Sequence, residues 1–295
     1  MVSTERIMEY TKLKPEAEEE IEDTKPPPAW PKQGKLDVKD LSVVYHGSSK
    51  QVLKGISFSI PAGSKVGVCG RTGAGKSTFL QALFRLIEPG GEIKIDDIDT
   101  KTLGLNDLRS RLAIIPQEPF CWKGSLRSNV DPFHQYSDQE LWQAFESVEM
   151  KQMVQGLPLQ LDAPVADGGS NFSFGERQLI CLARALLKDV KIIVADEPTS
   201  SIDFATDALI QKAIRGGLEG SGGKTVITIA HRLLTIIDFD LILVLDDGRL
   251  VEFDTPANLL SKEADDPTAL FRGMVDETGA DARITLRKLA GVSSE

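Results

Sequence analysis

Apolar residues change their spacing several times along the chain, and each change marks an element. From Lys35, polar and apolar positions alternate through KLDVKDLSVVY, break at His46-Gly-Ser-Ser49, and alternate again through QVLKGISFSI. This predicts two strands of a half-exposed antiparallel sheet. Val66 to Cys69 is a short apolar run of buried-strand character, and a helical period follows it as far as Leu86. Further strands are predicted over 91–97, over LAII at 112–115, over Ile192–Ala195 and over 225–232. A short helix is expected from Leu105 to Leu112, another from Ala205 to Arg215, and a hairpin over 241–254 turning at Asp247-Gly248.

Residues 122–190 read as mostly helical. Ser137-Asp-Gln-Glu140 forms a capping-box pattern before LWQAFESV, and FGERQLICLARALL carries an apolar face after the break at Gly168–Asn171. Strand–helix alternation beside an antiparallel edge predicts an α/β fold: a mostly parallel sheet flanked by helices, with a helical subdomain inserted at about 122–190. Residues 1–34 differ from the rest. An acidic run, Glu16 to Ile21, precedes Pro26-Pro-Pro28 and Pro31, so this part is expected to be an extended linker leading to a domain over 35–295. ERIMEY at 5–10 reads as the end of a helix begun upstream, and the whole chain as a fragment.

Composition narrows the class. With 41% apolar and 26% charged residues the chain is ordinary globular protein, and its net charge of −10 argues against a general nucleic-acid binder. Three cysteines, Cys69, Cys121 and Cys181, have neither zinc-site nor disulfide-framework spacing and read as reduced, mostly buried side chains. No stretch approaches 18 consecutive apolar residues, so the chain as given is expected to be soluble.

Chemistry concentrates in Gly70-Arg-Thr-Gly-Ala-Gly-Lys-Ser-Thr78, between the Val66–Cys69 strand and the following helix. That order is the context a phosphate-binding P-loop requires. Glycines 70, 73 and 75 let successive N–H groups converge on phosphate oxygens, Lys76 reaches the β- and γ-phosphates, and the Ser77 hydroxyl suits magnesium. Asp196 and Glu197 end an apolar strand, where open α/β sheets gather their ligands. Asp196 is placed to hold a metal and Glu197 to polarise a water; a pair of surface carboxylates capping the next helix is the plainer alternative. Gln117, after LAII, offers an amide oxygen to metal and water. His231, after ITIA, is either a γ-phosphate sensor or a structural histidine. Tyr45 is either an adenine-stacking ring or a core tyrosine.

Together these motifs resemble the nucleotide-binding domain of an ATP-binding cassette (ABC) transporter, over residues 35 to about 280. GRTGAGKST resembles the Walker A loop, which implies ATP contacts from Gly70, Thr72, Gly73, Ala74, Gly75, Lys76, Ser77 and Thr78. Gln117 in IIPQEP matches the Q-loop and NFSFGERQ at 171–178 the signature motif, with Ser173 and Gly175 in the key positions. IIVADE at 192–197 resembles Walker B plus the catalytic Glu197, SSID at 200–203 the D-loop, and His231 the switch histidine; Tyr45 corresponds to the adenine-stacking aromatic. The resemblance implies a RecA-like P-loop core with an antiparallel β subdomain and an inserted helical subdomain, and ATP with Mg2+ held by Ser77, Gln117 and Asp196.

ERIMEY, PPPAWP, GRTGAGKS and DEPTSSID look more narrowly like the second, C-terminal cassette of the C subfamily, which includes multidrug-resistance-associated exporters. This implies a head-to-tail ATP sandwich with a first cassette, transmembrane domains beyond this chain, and a place at the cytosolic face of a membrane. A homodimer is the expected pairing of the isolated chain. Ser173 and Gly175 would touch the γ-phosphate on the partner, and Asp203 would couple the two sites. The signature departs from the family pattern at Phe172-Ser-Phe-Gly-Glu176, where Glu176 replaces the usual Gln and brings negative charge toward an anionic site. A nucleotide-gated regulatory module and a soluble ABC ATPase are the rival readings.

Overall fold

The computed structural model describes residues 2–13, 15–196, 223–230, 232–263 and 266–292. The expected helix at 205–215 and the residues Glu197, Ser200, Asp203 and His231 lie outside them. Two sheets carry the fold. Strands β1 (Leu36–Val44), β2 (Gln51–Ile60), β4 (Gly90–Ile95) and β5 (Ile98–Asp99) form an antiparallel sheet in the order β2-β1-β4-β5. The second sheet comprises β3 (Lys65–Gly70), β6 (Leu112–Ile115), β9 (Ile192–Asp196), β10 (Thr225–Ile229), β11 (Leu241–Asp246) and β12 (Arg249–Asp254). Its order is β12-β11-β3-β10-β9-β6, parallel throughout except for β12, which turns back against β11 through Asp247-Gly248.

The large sheet is buried on both faces, which explains its continuous apolar runs. Successive side chains point to opposite sides. Ile192 and Val194 of β9 join the core between the two sheets, built around Phe79 and Leu83 of helix α2 (Lys76–Leu83). Ile193 and Ala195 join the core beneath the helical layer. That layer contains α4 (Leu126–Val130), α5 (Asp138–Ser147), α6 (Lys151–Gly156) and α7 (Phe174–Leu187), with a small antiparallel pair, β7 (Gly124–Ser125) and β8 (Pro164–Val165). The Ser137–Glu140 capping box is present at α5. Near β11 the same face is covered by Leu259, Phe271 and Leu286 from three C-terminal helical turns and helices.

The N-terminal stretch is helical over ERIMEY, as its sequence suggests, and what the sequence does not announce is how the part after it is held. Val2–Tyr10 is helical (α1), and residues 16–35 are seated against the domain. The reason is the supply of donors. Helix α3 (Leu105–Ser110) has Gly104 at its N-cap and no side-chain cap, so the Leu105 and Asn106 N–H groups donate to the carbonyls of Glu18 and Glu19 at 3.0 and 2.9 Å. Arg109 adds a two-pronged pair with Glu16 at 2.9 and 3.0 Å. Farther on, Trp30 is 4% exposed and its indole N–H donates to the Ile95 carbonyl. The Asp96 carboxylate accepts the N–H groups of Gln33 and Lys35, each at 2.8 Å. Burial would raise the pKa of Asp96, but these backbone donors outweigh it and hold the carboxyl below its usual range. The Thr225 hydroxyl, at the start of β10, donates to Gly34 O at 2.7 Å and accepts from Gly63 N at 2.9 Å. One side chain thereby ties the N-terminal segment to the large sheet and to the turn that enters β3.

Candidate functional site

Strand register places the candidate residues at one rim. Asp196 lies level with Ile229 of β10, and Ile229 lies level with Val68 of β3. Gly70, the last residue of β3, is therefore just beyond Asp196, two strands away, or roughly 10 Å in sheet spacing. On the other side Ala195 pairs with Ile115, so Pro116 and Gln117 emerge from β6 beside Asp196. All these residues lie at the carboxyl ends of parallel strands, next to the glycine-rich loop. Gln117 is exposed and Asp196 half-buried.

The loop itself is shaped by two close approaches. A Cβ on Gly70, whose φ is +145°, would lie 2.1 Å from Leu245 O of β11. A Cβ on Gly75, at φ +104°, would meet a Leu53 methyl at 2.6 Å. Only glycine permits the loop to nestle so closely between β2 and β11. The β11–β12 turn supports it from outside: Gly248 N donates to Ala74 O at 3.1 Å, Lys54 N donates to Gly248 O, and Lys54 Nζ pairs with Asp247 at 2.6 Å. The sequence marks Asp247-Gly248 only as a turn; its role as a buttress appears when the sheet brings residues 74 and 248 together.

Gly75 is the N-cap of α2, with no side-chain cap and no acidic residue in the first turn. The helix thus turns donors, and the positive end of its dipole, toward the loop. Lys76 is buried, and its ammonium folds back to donate to the carbonyls of Gly70 at 2.8 Å and Arg71 at 3.3 Å. Arg71, Thr72, Gly73 and Ser77 are exposed, whereas Ala74 and Thr78 are buried. Tyr45 is 38% exposed, so it is not a core tyrosine. Its hydroxyl bonds the Thr78 hydroxyl and donates to Gln81 Oε1, both at 2.9 Å, which fixes the ring beside the loop.

Ser173 and Gly175 belong to the other layer. Ser173 is the N-cap of α7: its hydroxyl accepts Glu176 N at 3.2 Å, and its own N–H donates to Glu176 Oε2 at 2.7 Å. Glu176 therefore closes a capping box. Gln178, buried in α7, donates from Nε2 to Pro116 O at 3.0 Å, joining this helix to the loop of Gln117. Sequence reasoning passed over Gln178, since a glutamine inside an amphipathic helix carries no local signal.

The ABC transporter family profile matches residues 53–200, half of the chain. The chain belongs to the ABC transporter family. This cassette is 50% identical over 278 residues to ABC transporter C family member 5 of Arabidopsis thaliana, covering 94% of this chain and 18% of the relative. It is 47% identical over 290 residues to ATP-binding cassette sub-family C member 4 of Homo sapiens, covering 98% of this chain and 21% of that protein. The chain spans about a fifth of the length of these curated relatives. Among solved structures it resembles a bacterial Atm1-family ABC exporter with ATP bound, at TM-score 0.81 and 29% identity, covering 95% of this chain and 48% of that one. Nearly its whole length is thus similar to one segment of C-family ABC transporters. Among the described residues no helix is long and apolar enough to cross a membrane.

Proposed function

We propose that this cassette binds ATP with magnesium at the loop 70–78, hydrolyses it, and serves as the second nucleotide-binding domain of a C-subfamily exporter at the cytosolic face of a membrane. The observation that carries the reading is the uncapped N-terminus of α2, with Lys76 held in reserve on the carbonyls of Gly70 and Arg71. These groups fit a polyphosphate: backbone donors converge at a helix N-terminus, and a cation is positioned to leave two neutral acceptors for a stronger anionic one. Ser77 and Asp196, with Gln117, would hold magnesium, which offsets charge on the phosphates when bound. Tyr45 offers its ring to the adenine. Glu197 orients the attacking water and His231 senses the γ-phosphate; both assignments rest on their positions after β9 and β10 in sequence.

In this reading Ser173 and Gly175 serve a nucleotide held by a partner cassette, since α7 packs in the helical layer while the loop lies between the sheets. Residues 1–34 link the cassette to transmembrane domains, and residues 122–190 form the helical subdomain that meets them. ATP closes the head-to-tail pair and hydrolysis loosens it. The experiment is steady-state ATP hydrolysis as a function of the concentration of this chain. Turnover rising faster than linearly, and lost in Glu197→Gln with ATP binding retained, is the expected result. Turnover strictly proportional to concentration, or unchanged in Glu197→Gln, overturns the paired mechanism or the role of Glu197, respectively.

A further inference from the structure

Two of the three thiols meet where the loop after β6 joins helix α7. Cys121 lies four residues beyond Gln117, and Cys181 lies eight beyond Ser173. Both are buried, and Cys181 Sγ donates at 3.6 Å to the carbonyl of Phe120, the residue bonded to Cys121, which brings the two thiols close enough to shift each other's ionisation. A guanidinium is fixed beside them. Arg184 donates from Nε to Asn129 O at 2.6 Å and from Nη2 to Phe120 O at 3.2 Å, lies 4.6 Å from the Trp122 ring centroid, and places Nη1 4.0 Å from Cys181 Sγ. The Cys121 contact and this cation hold the Cys181 thiol below its ordinary range, whereas the Cys121 thiol is pushed up. Cys69, equally buried, supplies the contrast: desolvation, with Glu252 nearby, pushes its thiol up to about 12 in spite of Lys76, so it stays protonated.

We propose that Cys121 and Cys181 are an oxidation site that forms a reversible disulfide with a hydroperoxide and pins the Gln117 loop to the signature helix. The Cys181 thiolate attacks the peroxide O–O bond; with hydrogen peroxide the leaving oxygen takes a proton and departs as water, leaving a sulfenic acid on Cys181. The Cys121 sulfur then attacks that sulfenic sulfur. The S–O bond breaks, the hydroxyl leaves as a second water with the Cys121 proton, and the S–S bond forms. Two thiols have been oxidised and one peroxide reduced to two waters. A thiol reductant reverses the bond by exchange. The loop and α7 are already joined by hydrogen bonds from Gln178 to Pro116 O and from Cys181 and Arg184 to Phe120 O, and a covalent bond replaces breakable contacts there with a fixed one. Its effect on turnover rests on the function proposed above; the bond itself does not.

The test treats this chain with hydrogen peroxide, counts free thiols, maps peptides without reduction, and follows amide exchange over 116–124. The expected result is a fall from three free thiols to one, a 121–181 linked peptide, Cys69 still alkylatable, slower exchange over 116–124, and full recovery with dithiothreitol. Cys121→Ser should give no link and leave Cys181 trapped by dimedone as the sulfenic acid. Three thiols surviving, or Cys69 appearing in the linked peptide, overturns the pair. A link with unchanged exchange over 116–124 overturns the pinning. ATP turnover is read in parallel and should fall several-fold in the oxidised chain and not in Cys121→Ser. A reduced chain without turnover counts against the proposed function, while the thiol map and the exchange data still decide this inference.

Discussion

Helices α2 and α7 both begin near residues expected to meet phosphate, yet their N-termini are finished in opposite ways. α2 starts from a left-handed glycine with no side-chain cap and no acid in its first turn. α7 starts from Ser173 with both halves of a capping box made by Glu176. The first leaves donors for something outside the chain; the second satisfies donors with its own carboxylate. α3 shows a third solution, in which carbonyls of Glu18 and Glu19 take the N-terminal donors. Withholding the side-chain cap is not by itself distinctive, since α3 lacks one too; at α2 the open end faces a glycine-rich loop with the Lys76 ammonium beside it.

The sharpest way to break this comparison is to spoil the loop that opens α2. Gly70→Ala puts a Cβ 2.1 Å from a backbone oxygen that cannot move without β11. We expect a loss of about 3 kcal/mol or more in unfolding free energy, with nucleotide binding lost; an unchanged denaturation midpoint would refute this account of the loop. Lys76→Ala keeps the loop and removes its reserve cation, so nucleotide binding should weaken by about 1.5–3 kcal/mol with little change in melting. Wild-type affinity in isothermal titration would show that Lys76 contributes nothing to the phosphate cradle.

Changes at α7 should do the reverse. Ser173→Ala removes a cap and should cost about 1 kcal/mol of stability, while binding of nucleotide to the chain's own loop stays at the wild-type level. Glu176→Gln keeps an acceptor for Ser173 N but removes the charge. Stability should move by less than about 0.5 kcal/mol, and concentration-dependent turnover should rise if a partner's phosphate approaches this helix. Unchanged turnover would separate α7 from the anion.

The smallest effect is expected at α3. Glu16 is held below the usual carboxylate range by its hydrogen bond and charge pairing with Arg109. Its contribution is therefore present above the usual carboxylate range and lost as pH falls through the lowered value. Amide exchange at Leu105 and Asn106 should quicken in that acid window in the wild type, and no pH step should remain in Arg109→Met.

Much of this architecture was legible because periodicity and local chemistry agree. β9 and β3 announce themselves as apolar runs, the β11–β12 turn as Asp-Gly, and α5 as a capping box, and each is where those patterns put it. The loop 70–78 was equally plain. What pattern did not carry was placement by long-range pairing. Nothing near Gly248 indicates that its N–H supports Ala74, and nothing in a proline- and glutamate-rich stretch reveals that α3 will donate to its carbonyls. Gln178 was missed for the same reason: its partner, Pro116 O, is 62 residues away.

The seat of residues 16–35 has a mechanical consequence. Gly34 is held by Thr225 of the large sheet, and its neighbours Gln33 and Lys35 by Asp96 beside the small one. A pull or twist entering through this segment is divided between both sheets before it reaches the loop at Gly70. Anchored in this way, the segment is built as a handle and not as a tether. Rotation delivered there would turn both sheets, and the loop at Gly70 with them, as one piece.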